Sequence, residues 1–60
     1  MAWLAVDSDG TEYIYGAQPS REGTRFMSCF ECIHIPKGSI KKLIGKKLTW
    51  NDEPVELKED

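Results

Sequence analysis

The dipeptide Asp9-Gly10 restricts the fold more than any other feature, because it separates two short runs of β-forming residues, 3–6 and 11–15. A glycine in this position takes the positive φ that a tight two-residue hairpin turn requires. The two runs are therefore predicted to pair as antiparallel strands at the start of the chain.

Alternation along the second of these strands divides its side chains between two faces. Tyr13 and Tyr15 share one face, and Glu12 and Ile14 share the other. Both faces carry large side chains, so the pattern leaves open which of them is the core side.

The length of 60 residues restricts how large a core the chain can build. A folded chain of this size buries about 60% of the surface that the extended chain exposes. One small domain spanning residues 1–60 is therefore predicted, and the length is too short for a doubly wound sheet or a barrel with an internal site. The composition, 40% apolar and 30% charged, is typical of a globular domain.

The middle of the chain contains a polar segment followed by an apolar one. Residues 16–24 collect turn-forming residues without apolar periodicity and are predicted to form the main surface loop. Residues 25–35 are dense in aromatic, thiol and β-branched side chains, which favours a strand. Strict alternation would make both faces of that strand apolar. The segment is therefore either one central strand or two strands with a break near residues 28–31.

A short helix is predicted after this segment. Ser39 is suited to be its N-cap, and Ile40, Leu43 and Ile44 follow at helical spacing on one apolar stripe. Gly45 lies where a C-cap glycine is expected. A helix of two turns is not stable by itself, so we expect the stripe to pack on the sheet.

Residues 55–57 alternate after a turn-forming stretch and are predicted to be a last edge strand. The predicted fold class is α+β: a small antiparallel β-sheet of three to four strands, in the order β-β-β-α-β, with one short helix packed on it. The predicted core consists of Trp3, Leu4, Val6, Phe26, Phe30, Ile33, Ile35, Leu43, Ile44, Trp50 and Leu57.

The segment Leu4-Ala5-Val6-Asp7-Ser8-Asp9-Gly10-Thr11 resembles the first motif of the haloacid dehalogenase-like phosphatases. That resemblance would assign the nucleophile to Asp7 and the acid/base to Asp9. The family needs a much longer doubly wound domain with a distant lysine and further acids, whereas residues 12–15 continue here as a strand. We therefore interpret both aspartates as turn residues that hydrogen-bond the local backbone. No catalytic residue is predicted, and we do not expect an enzyme.

Cys29, Cys32 and His34 supply three soft metal ligands close together in the chain. A structural zinc site normally has four protein ligands, and the sequence contains no second Cys or His pair. No metal or cofactor is therefore predicted for the chain alone, and whether these residues bind metal in an assembly stays open. A calcium loop of the EF-hand type is excluded, because Ala5 and Gly16 would occupy ligand positions.

Charge is arranged in blocks along the chain: −3 over residues 1–35, +5 over residues 36–50 and −4 over residues 51–60, which together give −2. Such blocks attract a partner or neutralise one another across the fold. The candidate interaction residues are the lysines of the positive block and the tryptophan that follows them: Lys37, Lys41, Lys42, Lys46, Lys47 and Trp50.

The leading functional prediction is a non-catalytic interaction module that binds a larger protein partner or associates with itself. It would bind through the lysine-rich helix face or through an exposed aromatic side chain, Trp50 or Tyr15. Self-association as a homodimer would use an unpaired strand edge. The alternative is nucleic-acid binding by the lysines, whose contacts with phosphate would be sensitive to salt and independent of sequence.

Residues 9–12, 35–45 and 48–57, which include Ile35-Pro36-Lys37-Gly38-Ser39, resemble short bacterial proteins of phage or mobile-element type. The resemblance implies no established activity, cofactor or catalytic residue. It implies a small protein that acts by binding something larger.

The sequence also bears on location. No apolar run approaches the length needed to cross a bilayer, and the N-terminal residues have no basic flank or long apolar stretch typical of a signal peptide. We therefore expect a cytoplasmic protein with no membrane partner.

Overall fold

A computed structural model describes residues 2–28 and 31–57 of the chain. In chain order the elements are β1 (Ala2–Val6), β2 (Glu12–Tyr15), β3 (Ser20–Glu22), β4 (Arg25–Met27), β5 (Cys32–Ile35), α1 (Ser39–Ile44) and β6 (Val55–Leu57). The α+β class with antiparallel strands and one short helix is confirmed. The predicted strand count and order are wrong, because the described residues form six strands in a four-stranded and a two-stranded sheet.

The four-stranded sheet has the order β5-β2-β1-β6, and its neighbouring strands are antiparallel. β1 and β2 form the hairpin expected from Asp9-Gly10, with Trp3 opposite Tyr15 and Val6 opposite Glu12. Because side chains alternate along a strand, Tyr13 and Tyr15 of β2 lie on one face of the sheet and Ile14 lies on the other.

One face of the four-stranded sheet packs against α1. Leu4 and Val6 of β1 form a buried cluster with Ile40 of α1 and with Leu48. The partly buried side chains around this cluster are Ile14, Ile35, Ile44, Val55 and Leu57. Burial of apolar surface stabilises by about 25 cal/mol per Å². This contact holds a helix that is too short to persist by itself.

The opposite face of the sheet is covered by the β3–β4 hairpin. Ala5, Tyr15 and Phe26 form a second buried cluster. Its partly buried neighbours are Trp3, Tyr13 and Trp50. Both faces of β2 therefore point to a core, which answers the question that its alternation left open. Tyr15 is only 2% exposed, so the prediction of Tyr15 as an exposed binding residue is wrong.

The β3–β4 hairpin corrects the prediction of a surface loop over residues 16–24. β3 pairs with β4, and Arg21 lies opposite Phe26. Every residue of β3 is exposed, so this strand has no apolar alternation for a pattern to detect. Residues 25–35 contain two strands in different sheets, which confirms the alternative of two strands over that of one central strand. The predicted core residue Phe30 lies outside the described residues.

Two residues of the predicted core are exposed instead, Ile33 by 61% and Leu43 by 48%. Ile33 lies on β5, one of the two outer strands of its sheet, and belongs to neither core cluster. The contact of α1 with the sheet is centred on Ile40, which is 1% exposed, and Ile44 flanks it. A helix of six residues buries only a narrow stripe of side chains. Leu43 lies beside that stripe, where α1 is open to solvent.

The caps of α1 agree with the prediction at one end only. Gly38, and not Ser39, is the N-cap, with a left-handed φ of 94° that favours glycine. Gly45 is the C-cap, as expected, and its N–H donates to the carbonyl of Lys41 at 2.8 Å. Gly38 has no side chain that could accept a capping hydrogen bond, so the first N–H groups of the helix need another acceptor.

Candidate interaction cleft

An open cleft of about 820 Å³ lies between the β1–β2 turn, the start of α1 and the segment that follows α1. Its lining contains four of the six predicted interaction residues, namely Lys37, Lys41, Lys47 and Trp50. Lys42 and Lys46 are exposed and do not line it. We call this feature the basic cleft.

The lysines of the basic cleft come from three consecutive parts of the chain. Lys37 precedes the N-cap of α1, Lys41 lies within the helix, and Lys47 follows the C-cap. The chain turns at both caps, so residues that are ten positions apart approach one opening. The side chain of Lys37 extends to the β1–β2 turn, where its Nζ lies 3.8 Å from the position that a Cβ on Gly10 would occupy.

Trp50 forms a wall of the basic cleft and is fixed by a turn over residues 49–52. Oδ2 of Asp52 accepts hydrogen bonds from the backbone N–H of Thr49 at 2.8 Å and from its hydroxyl at 3.2 Å. The indole ring packs edge-on against Phe26, with ring centroids 5.2 Å apart. The ring is therefore held between the turn and the second core cluster.

Arg21 of β3 attaches this turn to the β3–β4 hairpin. Its guanidinium donates to the carbonyl of Trp50 at 2.7 Å and to the carbonyl of Asp52 at 3.3 Å. The guanidinium carbon also lies 4.2 Å from the centroid of the Trp50 ring and 4.8 Å from that of Phe26, distances at which a cation is attracted to the face of an aromatic ring.

Two carboxylates also line the basic cleft, and both accept hydrogen bonds from the backbone. Oδ1 of Asp7 accepts from the N–H of Phe26 at 3.0 Å. Glu12 accepts from Gly38 through Oε2 at 2.8 Å and from Ile40 through Oε1 at 3.0 Å, and so supplies the cap that the N-cap residue lacks. Three lysines against these two acids leave a formal charge of +1 on the lining.

The floor of the basic cleft is apolar. Val6, Ile40 and Leu48 belong to the first core cluster and also line the cleft. These three side chains are nearly closed to solvent, so an occupant would meet ammonium groups and the half-buried side chain of Trp50. Such a mixed lining suits a ligand that carries both acidic and apolar groups.

The interpretation of Asp9 as a turn residue is confirmed. Its Oδ1 accepts a hydrogen bond from the N–H of Thr11 at 2.9 Å. Hydrogen bonds from the side chain and backbone of Thr11 hold the pKa of Asp9 below its ordinary value. Asp7 differs from the expectation, because its carboxylate bonds Phe26 of β4 and not its local backbone.

Cys32 and His34 lie two residues apart on β5, and both are exposed. The imidazole is near the ring of Tyr13, with centroids 5.7 Å apart. Cys29, the third of the predicted soft ligands, lies outside the described residues. Within residues 2–28 and 31–57, no three His, Cys, Asp or Glu side chains are grouped so that they could hold a metal ion.

The same described ranges contain no helix with the length and hydropathy required to cross a membrane.

Two residues of the cleft's framework, Glu12 and Arg21, were missed by sequence reasoning. Glu12 had one usable signal, since alternation places this acid on the same face as Ile14, where a partly buried carboxylate needs a hydrogen-bond donor. Arg21 had none, because the strand that carries it was predicted to be a loop.

Comparison of the chain with protein families, with curated proteins and with solved structures finds no match.

Proposed function

We propose that this protein is a non-catalytic interaction module that binds an acidic, partly apolar segment of a larger protein in the basic cleft. The observation that carries the proposal is the convergence of Lys37, Lys41 and Lys47 with Trp50 on one opening. These residues lie before, within and after α1, and a fold that merely dispersed its lysines over the surface would not group them beside an aromatic wall.

The charges of the cleft support an acidic partner. The Asp7 and Glu12 carboxylates bond backbone N–H groups, whereas Lys41 and Lys47 are exposed. Charged groups at the rim of an interface steer a partner of opposite sign and fix its orientation. The half-buried side chain of Trp50 offers apolar surface for an occupant to cover, which rim charges alone do not provide.

A second candidate is nucleic-acid binding, which the same three lysines support because phosphate contacts rely on such side chains. Three features favour the protein partner. The lining carries two carboxylates, its formal charge is only +1, and the net charge of the whole chain is −2. A phosphate backbone carries one negative charge on every nucleotide and would meet the two carboxylates, whereas a protein segment can place its acidic residues beside the lysines alone.

The test is fluorescence anisotropy with two labelled probes, a peptide of alternating glutamate and leucine residues and an oligothymidylate. Each is titrated with the wild-type protein, with the Lys41→Gln/Lys47→Gln variant and with the Lys42→Gln/Lys46→Gln variant. Both variants lose the same charge from adjacent positions, but only the first changes the lining of the basic cleft.

We expect the peptide to bind and the first variant to bind it about fivefold more weakly, at about 0.5 kcal/mol for each rim lysine. The second variant should bind nearly as the wild type does. Equal weakening by both variants would contradict the cleft as the site. Preference for oligothymidylate, with an affinity that falls steeply as salt is added, would replace the protein partner by the second candidate.

A further inference from the structure

The four-stranded sheet has β5 and β6 as its two outer strands, and each has a backbone edge without a neighbour in the described sheet. An outer strand presents N–H and C=O groups that can pair with another chain. The two edges differ in length, charge and exposed apolar surface, and these differences decide which edge can accept a further strand.

Hydrogen bonding fixes which groups of β5 face outward. The N–H of Gly16 donates to the carbonyl of Glu31 at 3.1 Å, in step with the pairs that join Ile14 to Ile33 and Glu12 to Ile35. In an antiparallel pair, hydrogen-bonded and non-hydrogen-bonded positions alternate. The backbone groups of the intervening residues, Cys32 and His34, therefore point away from β2.

The same reasoning leaves β6 a poorer edge. The N–H of Asp7 donates to the carbonyl of Thr11, so odd-numbered residues of β1 face β2 and even-numbered ones face β6. Leu4 lies opposite Val55, so the residue of β6 whose backbone N–H and C=O point away from β1 is Glu56. Over residues 55–57, the part of this edge that the structure describes, the outward position carries a charged side chain, which is a feature that resists pairing.

β5 has no feature along its length that would hinder the addition of another strand. Its four residues carry no carboxylate, ammonium or guanidinium group and contain no proline. Ile33, at its centre, is 61% exposed, more than the other exposed large apolar residues, Met27 and Leu43. A long apolar side chain at the middle of an open, unprotected edge is a feature that proteins otherwise avoid.

We propose that β5 pairs antiparallel with β5 of a second copy of this chain, about a two-fold axis that passes between Ile33 and the partner's Ile33. Cys32 then lies opposite the partner's His34, and His34 opposite the partner's Cys32. The outward N–H and C=O groups of these residues form four hydrogen bonds between the chains, and the two sheets join into one of eight strands. The pairing ends at Pro36, which has no N–H to donate.

A second copy fits this edge better than a strand of other sequence for two reasons. The axis places Ile33 against itself in a non-hydrogen-bonded pair, where Cα atoms are about 4.5 Å apart and side chains are closest. Because β5 carries no carboxylate, ammonium or guanidinium group, this register places no two like charges of the paired strands opposite each other. The pairing does not involve Lys41, Lys47 or Trp50. A test of this dimer is therefore independent of a test of binding in the basic cleft.

The strand is short, and an interface of this kind buries less than about 1,200 Å², which is typical of weak complexes. Dimerisation should therefore depend on protein concentration. Sedimentation velocity in reducing buffer, from micromolar to millimolar protein, tests it. We expect a reversible monomer–dimer equilibrium in the wild type and a dissociation constant at least about tenfold higher in Ile33→Lys.

Two further variants separate pairing from a general effect on folding. His34→Pro removes an N–H that points outward and is not used within the sheet, so the fold should persist, as circular dichroism would show, while dimerisation is lost. Met27→Lys introduces the same charge at another exposed apolar residue and should dimerise as the wild type does. A monomeric wild type at millimolar concentration, or a dimer unaffected by Ile33→Lys and His34→Pro, would overturn the proposal.

Oxidative cross-linking tests the register. On a Cys29→Ser/Cys32→Ser background, Ile33→Cys should form an intermolecular disulfide readily, because cysteines facing each other across the axis meet the distance that a disulfide needs. The Cys29→Ser variant, which keeps Cys32, should cross-link more slowly. Faster cross-linking through Cys32 would overturn the axis at Ile33.

Discussion

The guanidinium of Arg21 lies 4.2 Å above the indole ring of Trp50 and donates a hydrogen bond of 2.7 Å to the carbonyl of the same residue. A residue of an exposed outer hairpin thus fixes both the ring and the backbone of a residue in the basic cleft. The fold positions its candidate site through contacts between segments that are distant in the chain.

This contact predicts a specific loss of stability. Arg21→Ala should lower the free energy of unfolding by about 1–2 kcal/mol, because it removes two cation–aromatic contacts and two hydrogen bonds from a charged donor. Urea unfolding followed by tryptophan fluorescence measures it. Arg25→Ala is the matched control, since Arg25 contacts the sulfur of Met27, and this contact should be worth less than about 0.5 kcal/mol. Equal losses in the two variants would contradict the role given to Arg21.

The cap that β2 supplies to α1 gives a second prediction. Glu12→Ala should lower the free energy of unfolding by about 1–3 kcal/mol, because two N–H groups at the start of the helix lose a charged acceptor. Glu12→Gln should recover part of this loss through its one remaining oxygen. Glu22→Ala, at an exposed position of β3, should change stability little. Thermal unfolding of the three variants compares them, and a Glu12→Ala variant as stable as Glu22→Ala would exclude the cap.

The buried tyrosine predicts how stability depends on pH. Burial, reinforced by the negative charge of Asp7, raises the pKa of Tyr15 from 10.0 to about 12. The unfolded chain releases this proton first, so the stabilisation is complete below pH 10 and is lost as pH rises toward 12. Wild-type stability should therefore fall more steeply over this interval than that of Tyr15→Phe. Parallel pH profiles of the two proteins in urea unfolding would contradict the assignment.

The packing of α1 predicts unequal costs along its apolar stripe. Ile40→Ala should lower the free energy of unfolding by about 2–4 kcal/mol, because this side chain is fully buried against β1. Leu43→Ala should cost less than about 1 kcal/mol, since nearly half of Leu43 is exposed. Circular dichroism during urea unfolding distinguishes them. A larger loss for Leu43→Ala would mean that the helix packs on a different face.

Local chemistry was enough to predict several elements of the fold. The turn at Asp9-Gly10, the end of α1 at Gly45 and the last strand at residues 55–57 all depend on preferences of neighbouring residues. β3 was not predictable in this way, because it is exposed throughout and forms only by pairing with β4. Its pairing partner, and not its own pattern, determines its conformation.

The candidate site was predictable in composition and not in geometry. The lysines and Trp50 are apparent from the charge blocks, but Lys37, Lys41 and Lys47 are separated from Lys42 and Lys46 only by the tertiary fold. The cap from Glu12 joins residues that are 26 and 28 positions apart, a distance at which no sequence pattern pairs a carboxylate with a backbone N–H.

The central claim is that the basic cleft is the binding surface, and nuclear magnetic resonance tests it most directly. The acidic alternating peptide is titrated into ¹⁵N-labelled protein, and the shift of each amide and of the two indole N–H groups is recorded. We expect the largest shifts at Lys41, Lys47, Leu48 and the indole of Trp50, with β5 unchanged. Shifts centred on β5, shifts of equal size over the whole protein, or no shifts at millimolar peptide would contradict the claim.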